Sequence, residues 1–77
     1  MTTVTARAHG GLERHIVGAG PWTLDLPPGA TLLHVQDLLG IPRGDVGLFL
    51  VDGEMRHEDA QPASGAVIDL YPMFGGG

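Results

Sequence analysis

The last eleven residues of the sequence, 67–77, read VIDLYPMFGGG. Residues 66–71 are apolar except for Asp69 and include β-branched and aromatic side chains, which favours a buried strand. Pro72 lacks a backbone donor, so strand pairing should end at or near it. Gly75, Gly76 and Gly77 have no Cβ, so their backbone could pass through a channel too narrow for other residues. Terminal glycines also occur as inert tails or cloning remnants, and that alternative stands beside the first.

Length and composition limit the kinds of protein that fit. A chain of 77 residues predicts one domain that buries only about 60% of its unfolded surface, too small to enclose a large cofactor pocket. Cysteine is absent, which excludes disulfides, thiolate metal sites and a cysteine nucleophile. No apolar run approaches the roughly 20 residues of a membrane span, and no signal peptide is visible, so we expect a cytoplasmic protein without membrane contact.

The charge of the chain bears on its partners. Nine acidic residues against four arginines give a net charge of −5, and there is no lysine. Binding to nucleic acid depends on basic residues, so this balance argues against it and favours a partner with a basic surface. Without lysine, the N-terminus is the only primary amine, and an activated C-terminus could not acylate the protein's own side chains.

Two strands and one helix are predicted in the first half. Residues 2–8 and 22–26 alternate apolar and polar side chains, which predicts an antiparallel pair. Thr31 is a candidate N-cap, and Gly40 followed by Pro42 ends the helix. The predicted apolar stripe of this helix is Leu32, Val35, Leu38 and Leu39, and the predicted outward residues are His34, Gln36 and Asp37.

The second half adds the remaining strands. Residues 48–51 are wholly apolar, which predicts a central strand covered on both faces. Asp52-Gly53 is a tight-turn dipeptide, and a short strand is expected around Met55 and Arg56. The fold class is therefore α+β: a mixed four- to five-stranded sheet with one short helix across one face. The first and last strands are expected side by side and parallel. Residues 1–74 form the predicted domain, and residues 75–77 the flexible glycine tail.

Several segments together resemble the ubiquitin-like β-grasp sulfur carriers, namely the small subunit of molybdopterin synthase and the thiamine-pathway carrier. They are PPGAT before the helix, LLGIP after it, LFLVDGE, and the final LYPMFGGG. The GIP and LYPMF pieces also resemble the ubiquitin-like module fused to some Mut7-type RNase domains. That relative typically has a second domain and no terminal diglycine, so the glycines here favour a carrier.

The resemblance implies a specific chemistry. A ubiquitin-activating-type enzyme would use ATP to adenylate the Gly77 carboxylate, and a sulfur donor would then convert it to a thiocarboxylate. The sulfur would pass to an acceptor synthase subunit, with molybdopterin as the first expected pathway and thiamine as the second. Gly76 and Gly75 would pass through a narrow channel of the partner enzyme, while Phe74 and Met73 would contact the partner. The chain would be a co-substrate with no bound cofactor or metal, and not itself an enzyme.

Two other interpretations also fit the sequence. The chain could be a protein modifier conjugated through Gly77 to lysines of other proteins, or an interaction domain whose glycines are inert. The four histidines (His9, His15, His34 and His57) follow no zinc-binding spacing, so ordinary surface or partly buried positions are expected for them.

Overall fold

The computed structural model describes residues 1–73, which form five strands, one α-helix and one 3₁₀ turn. In chain order these are β1 Thr2–Ala8, the 3₁₀ turn Leu12–His15, β2 Trp22–Leu26, α1 Leu32–Leu39, β3 Val46–Val51, β4 Glu54–Arg56 and β5 Val67–Pro72. The order of elements confirms the sequence prediction.

The strands form one mixed sheet in the spatial order β2-β1-β5-β3-β4. β1 and β5 lie in its middle and run parallel, with Ala6 opposite Ile68. The other neighbouring strands are antiparallel. The expected central, parallel pairing of the first and last strands is therefore confirmed.

The core lies between α1 and one face of the sheet. Alternate residues of each strand point to this face, as Val4 and Ala6 do on β1 and Ile68 and Leu70 do on β5. The buried apolar residues are Val4, Ala6, Leu12, Leu26, Leu32, Val35, Leu39, Ile41, Phe49, Ala66, Ile68 and Leu70.

β3 differs from the prediction that it is covered on both faces. The strand lies between β5 and β4, but Phe49 is its only buried residue, and Leu48 and Leu50 are half-buried. Phe49 pairs with Leu70 of the core face, so Leu48 and Leu50 point to the opposite face. A single helix can cover only one face of the sheet, and an apolar run alone does not reveal this.

Helix α1 begins and ends where the sequence predicts. Thr31 Oγ1 accepts a hydrogen bond from the His34 N–H at 3.4 Å, and Gly40 adopts the left-handed conformation with φ 81°. The N–H groups of Gly40 and Ile41 donate to the carbonyls of Asp37 and Gln36, which is the Schellman pattern.

The predicted faces of the helix were wrong at two positions. Leu38 is half exposed, whereas Gln36 is 2% exposed. The Gln36 Nε2 group donates to the Pro42 carbonyl at 2.8 Å, so the side-chain amide supplies a hydrogen-bond donor to the turn that follows the helix. No helix within residues 1–73 is long and apolar enough to cross a membrane.

Candidate functional site at the exit of the tail

Two glycines define the path by which the chain leaves the sheet after β5. A Cβ atom on Gly10 would lie 2.6 Å from Pro72 Cγ, and Gly10 also has a positive φ of 64°. A Cβ atom on Gly47 would lie 2.8 Å from the Cα of Met73. Neither glycine can gain a side chain without displacing residues 72–73, because real Cβ atoms do not approach other heavy atoms so closely.

A backbone hydrogen bond holds the last described residue. The Met73 N–H donates to the Asp45 carbonyl at 3.2 Å, one residue before β3 begins. The Asp45 carboxylate lies 3.4 Å from the buried Nε2 atom of His15, whose side chain is 23% exposed. The exit is thus fixed from both sides, by the loop after β1 and by the start of β3.

A polar cluster lies on the face of the sheet away from α1, next to the exit. Asp69 is 5% exposed although it lies on this face, because the side chains of Arg7 and His9 cover it. Arg7 donates from Nε and Nη2 to the two carboxylate oxygens at 2.7 and 2.8 Å. Nε2 of His9 lies 2.7 Å from Oδ1 of Asp69. The His9 ring stacks on Tyr71, with 4.5 Å between the ring centroids.

The electrostatics of this cluster favour ionised Asp69. Its hydrogen bond from Arg7 lowers the pKa of the carboxyl group, burial opposes this shift, and the hydrogen bond from His9 adds to it. The pKa of the Arg7 guanidinium is raised, mainly by the same hydrogen bond with Asp69. The cluster is therefore a charged link between β1 and β5 at physiological pH.

Of the predicted site residues, the structure describes only Met73. Met73 is 57% exposed, an accessible position for a residue predicted to contact a partner. Phe74, Gly75, Gly76 and Gly77 lie outside the described residues, so the roles predicted for them stay predictions. Within residues 1–73 no group of three or more His, Asp or Glu side chains is arranged to hold a metal ion.

Sequence reasoning missed the polar cluster and the two packing glycines. One signal was available for the cluster: Asp69 is the one charged residue in an apolar strand, and Arg7 is outward-facing on the strand predicted beside it. In the parallel register the two are directly opposite. No local signal marks Gly47, because its constraint comes from a segment distant in the sequence.

The comparisons with known proteins agree with this architecture. A family model described as Mut7-C ubiquitin matches residues 3–76. The chain belongs to the Mut7-C ubiquitin family. The ubiquitin-like resemblance proposed from the sequence is thereby confirmed, and the match falls on the Mut7-type family that the GIP and LYPMF segments were said to resemble.

The fold of this Mut7-C ubiquitin domain is similar to that in the crystal structure of H. volcanii small archaeal modifier protein 1. The TM-score is 0.74 at 17% sequence identity, covering 94% of this chain and 98% of that chain. A likeness at this identity shows the ubiquitin-like β-grasp fold. A search of curated proteins gave no match.

Proposed function

We propose that this Mut7-C ubiquitin domain is a cytoplasmic sulfur carrier whose Gly77 carboxylate is activated by a partner enzyme. The carboxylate attacks the α-phosphorus of ATP and displaces pyrophosphate. A sulfur nucleophile then attacks the acyl adenylate and displaces AMP. Where the donor is a persulfide, a thiol cleaves the remaining S–S bond and leaves the thiocarboxylate. Molybdopterin is the first pathway we propose for the sulfur, and thiamine the second.

The observation that carries the proposal is a β-grasp domain whose last strand leads into three consecutive glycines. Gly10 and Gly47 permit the close packing of Pro72 and Met73, so residues 72–73 leave the sheet along one path. A reactive group presented on a short arm from a fixed point suits an enzyme that must reach and modify it. In this proposal the domain supplies the substrate group, and the activating enzyme supplies the catalytic residues and consumes ATP.

Intact mass spectrometry of the protein from its native host, before any reduction or alkylation, tests the proposal. We expect a species in which one oxygen is replaced by sulfur, located at Gly77 by fragmentation. The same spectrum reports whether Gly77 is the mature C-terminus. If only the unmodified mass is found, even after incubation with the activating enzyme, ATP and a sulfur donor, the carrier proposal fails.

The partner contacts proposed for Phe74 and Met73 have a separate test. Phe74→Ala should raise the KM of the activating enzyme for the domain by about tenfold, because buried aromatic anchors dominate protein interfaces. Met73→Ala should have a smaller effect. Leu38→Ala is the matched control, since Leu38, like Met73, is exposed but lies on α1. Equal KM values for all three variants would show that the tail residues are not anchors.

A second candidate function is favoured by the name of the structurally similar protein, a small archaeal modifier. The domain would then be conjugated through Gly77 to lysines of other proteins. Peptides that carry a glycine remnant on lysine, found only when the domain is expressed, would identify this role. A non-covalent interaction domain would instead show no modification of Gly77 and would retain its partner when Gly76 and Gly77 are deleted.

A further inference from the structure

The strand β4 is too short to cover the edge of β3. β3 has six residues, and β4 pairs with only three of them, Phe49, Leu50 and Val51. On the β4 side, no strand within residues 1–73 pairs with positions 46–48. An uncovered strand edge presents backbone groups to which another extended segment can hydrogen-bond.

A groove of about 750 Å³ borders this uncovered edge. Its lining includes Leu33 of α1, Leu48 of β3, Met55 of β4 and Met73 at the tail exit. Met55 is 71% exposed and Met73 is 57% exposed. Methionine adapts its shape to different apolar surfaces, so the groove suits apolar side chains of an incoming segment.

The charges along the groove indicate which kind of segment fits. The chain carries a net charge of −5, yet two of its four arginines, Arg43 and Arg56, line this groove together with one acid, Glu58. Arg43 pairs with Asp37 at 2.8 Å and Arg56 pairs with Glu54 at 2.6 Å. Both pairs are largely exposed, so exchanging an intrachain acid for one from a partner costs little.

We propose that the edge of β3 at residues 46–48 binds an extended segment of a partner protein by β-strand addition. The segment carries apolar side chains at alternate positions for the Met55 and Leu48 surface and a carboxylate for Arg56. Residues two apart in a strand share a face, which sets the alternation. A second copy of this chain fits less well, since two-fold pairing of these edges would bring the arginines of both copies together.

Selection from a displayed library of random twelve-residue peptides against the full chain tests this proposal. We expect enriched peptides that alternate apolar residues with at least one Asp or Glu. In NMR titrations with such a peptide, the changes in the protein's amide chemical shifts should centre on residues 46–48. Arg56→Glu and Met55→Ser should each weaken the binding of such a peptide at least tenfold. Replacing the peptide's acid with arginine should restore binding to the Arg56→Glu variant.

Matched controls separate this site from general charge and hydrophobicity. Arg14→Glu makes the same charge change on the 3₁₀ turn, and Val17→Ser removes an apolar side chain that is 94% exposed. Both should leave affinity within twofold of the parent. Binding should also survive deletion of Gly76 and Gly77, so its outcome is independent of the carrier proposal.

Three results would overturn the proposal. They are the absence of a shared sequence among selected peptides, shift changes centred on the other sheet edge at β2, and affinities that Arg56→Glu leaves unchanged. Sedimentation of the free chain as a dimer, with residues 46–48 at its interface, would assign the edge to a second copy instead.

Discussion

At the scale of single residues, Asp69 should couple folding to pH. Its pKa is lowered in the folded protein, so its stabilising effect is present above the ordinary carboxyl pKa and is lost as pH falls through the folded value. We expect the free energy of unfolding to fall below about pH 4. Asp69→Asn should lower it by about 1–2 kcal/mol at pH 7 and flatten this acid dependence, because Arg7 and His9 lose their carboxylate partner. Urea unfolding followed by circular dichroism between pH 3 and 7 measures both effects. Asp25→Asn is the control: Asp25 is exposed and accepts from Thr3 Oγ1, so removing its charge should change stability by less than about 0.5 kcal/mol at pH 7. If the free energy of unfolding of the Asp69→Asn variant fell with pH as steeply as that of the parent, the cluster would not be the source of the acid dependence.

At the scale of elements, α1 provides a test of the corrected helix faces. Gln36→Leu should destabilise the domain by about 1–2 kcal/mol, because the Pro42 carbonyl loses its donor. Leu38→Gln should change stability by less than about 0.5 kcal/mol, because Leu38 is half exposed. Thermal and urea unfolding of the two variants measure the difference. If Leu38→Gln destabilised the domain more than Gln36→Leu, the helix faces predicted from periodicity would be supported instead. The ends of α1 were predictable because Thr31, Gly40 and Pro42 act locally. The buried face was not, because the Gln36 amide is satisfied by carbonyls that lie beyond the helix.

At the scale of the whole molecule, stability rests on one small core. A domain of this size is expected to have a free energy of unfolding of about 4–12 kcal/mol. Ile68→Ala should remove about 2–4 kcal/mol of it, because Ile68 is fully buried at the centre of the sheet. Val17→Ala should be nearly neutral, since Val17 is almost fully exposed. Denaturant midpoints of both variants check this, and similar midpoints would show that the core lies elsewhere. The antiparallel pairing of β1 with β2 and the parallel centre were predictable from the alternation and the order of the elements. The exit of the tail was not, because it depends on the contacts of Gly10 and Gly47 with residues distant in sequence.

The parallel pairing of β1 and β5 also determines how the domain responds to mechanical force. The first residue of β1, Thr2, and the last of β5, Pro72, lie at opposite ends of the central pair. A pull that separates these two residues loads the hydrogen bonds between the strands in shear, so they must break together rather than one at a time. An unfolding motor that engages the glycine segment would therefore meet its greatest resistance at the first step.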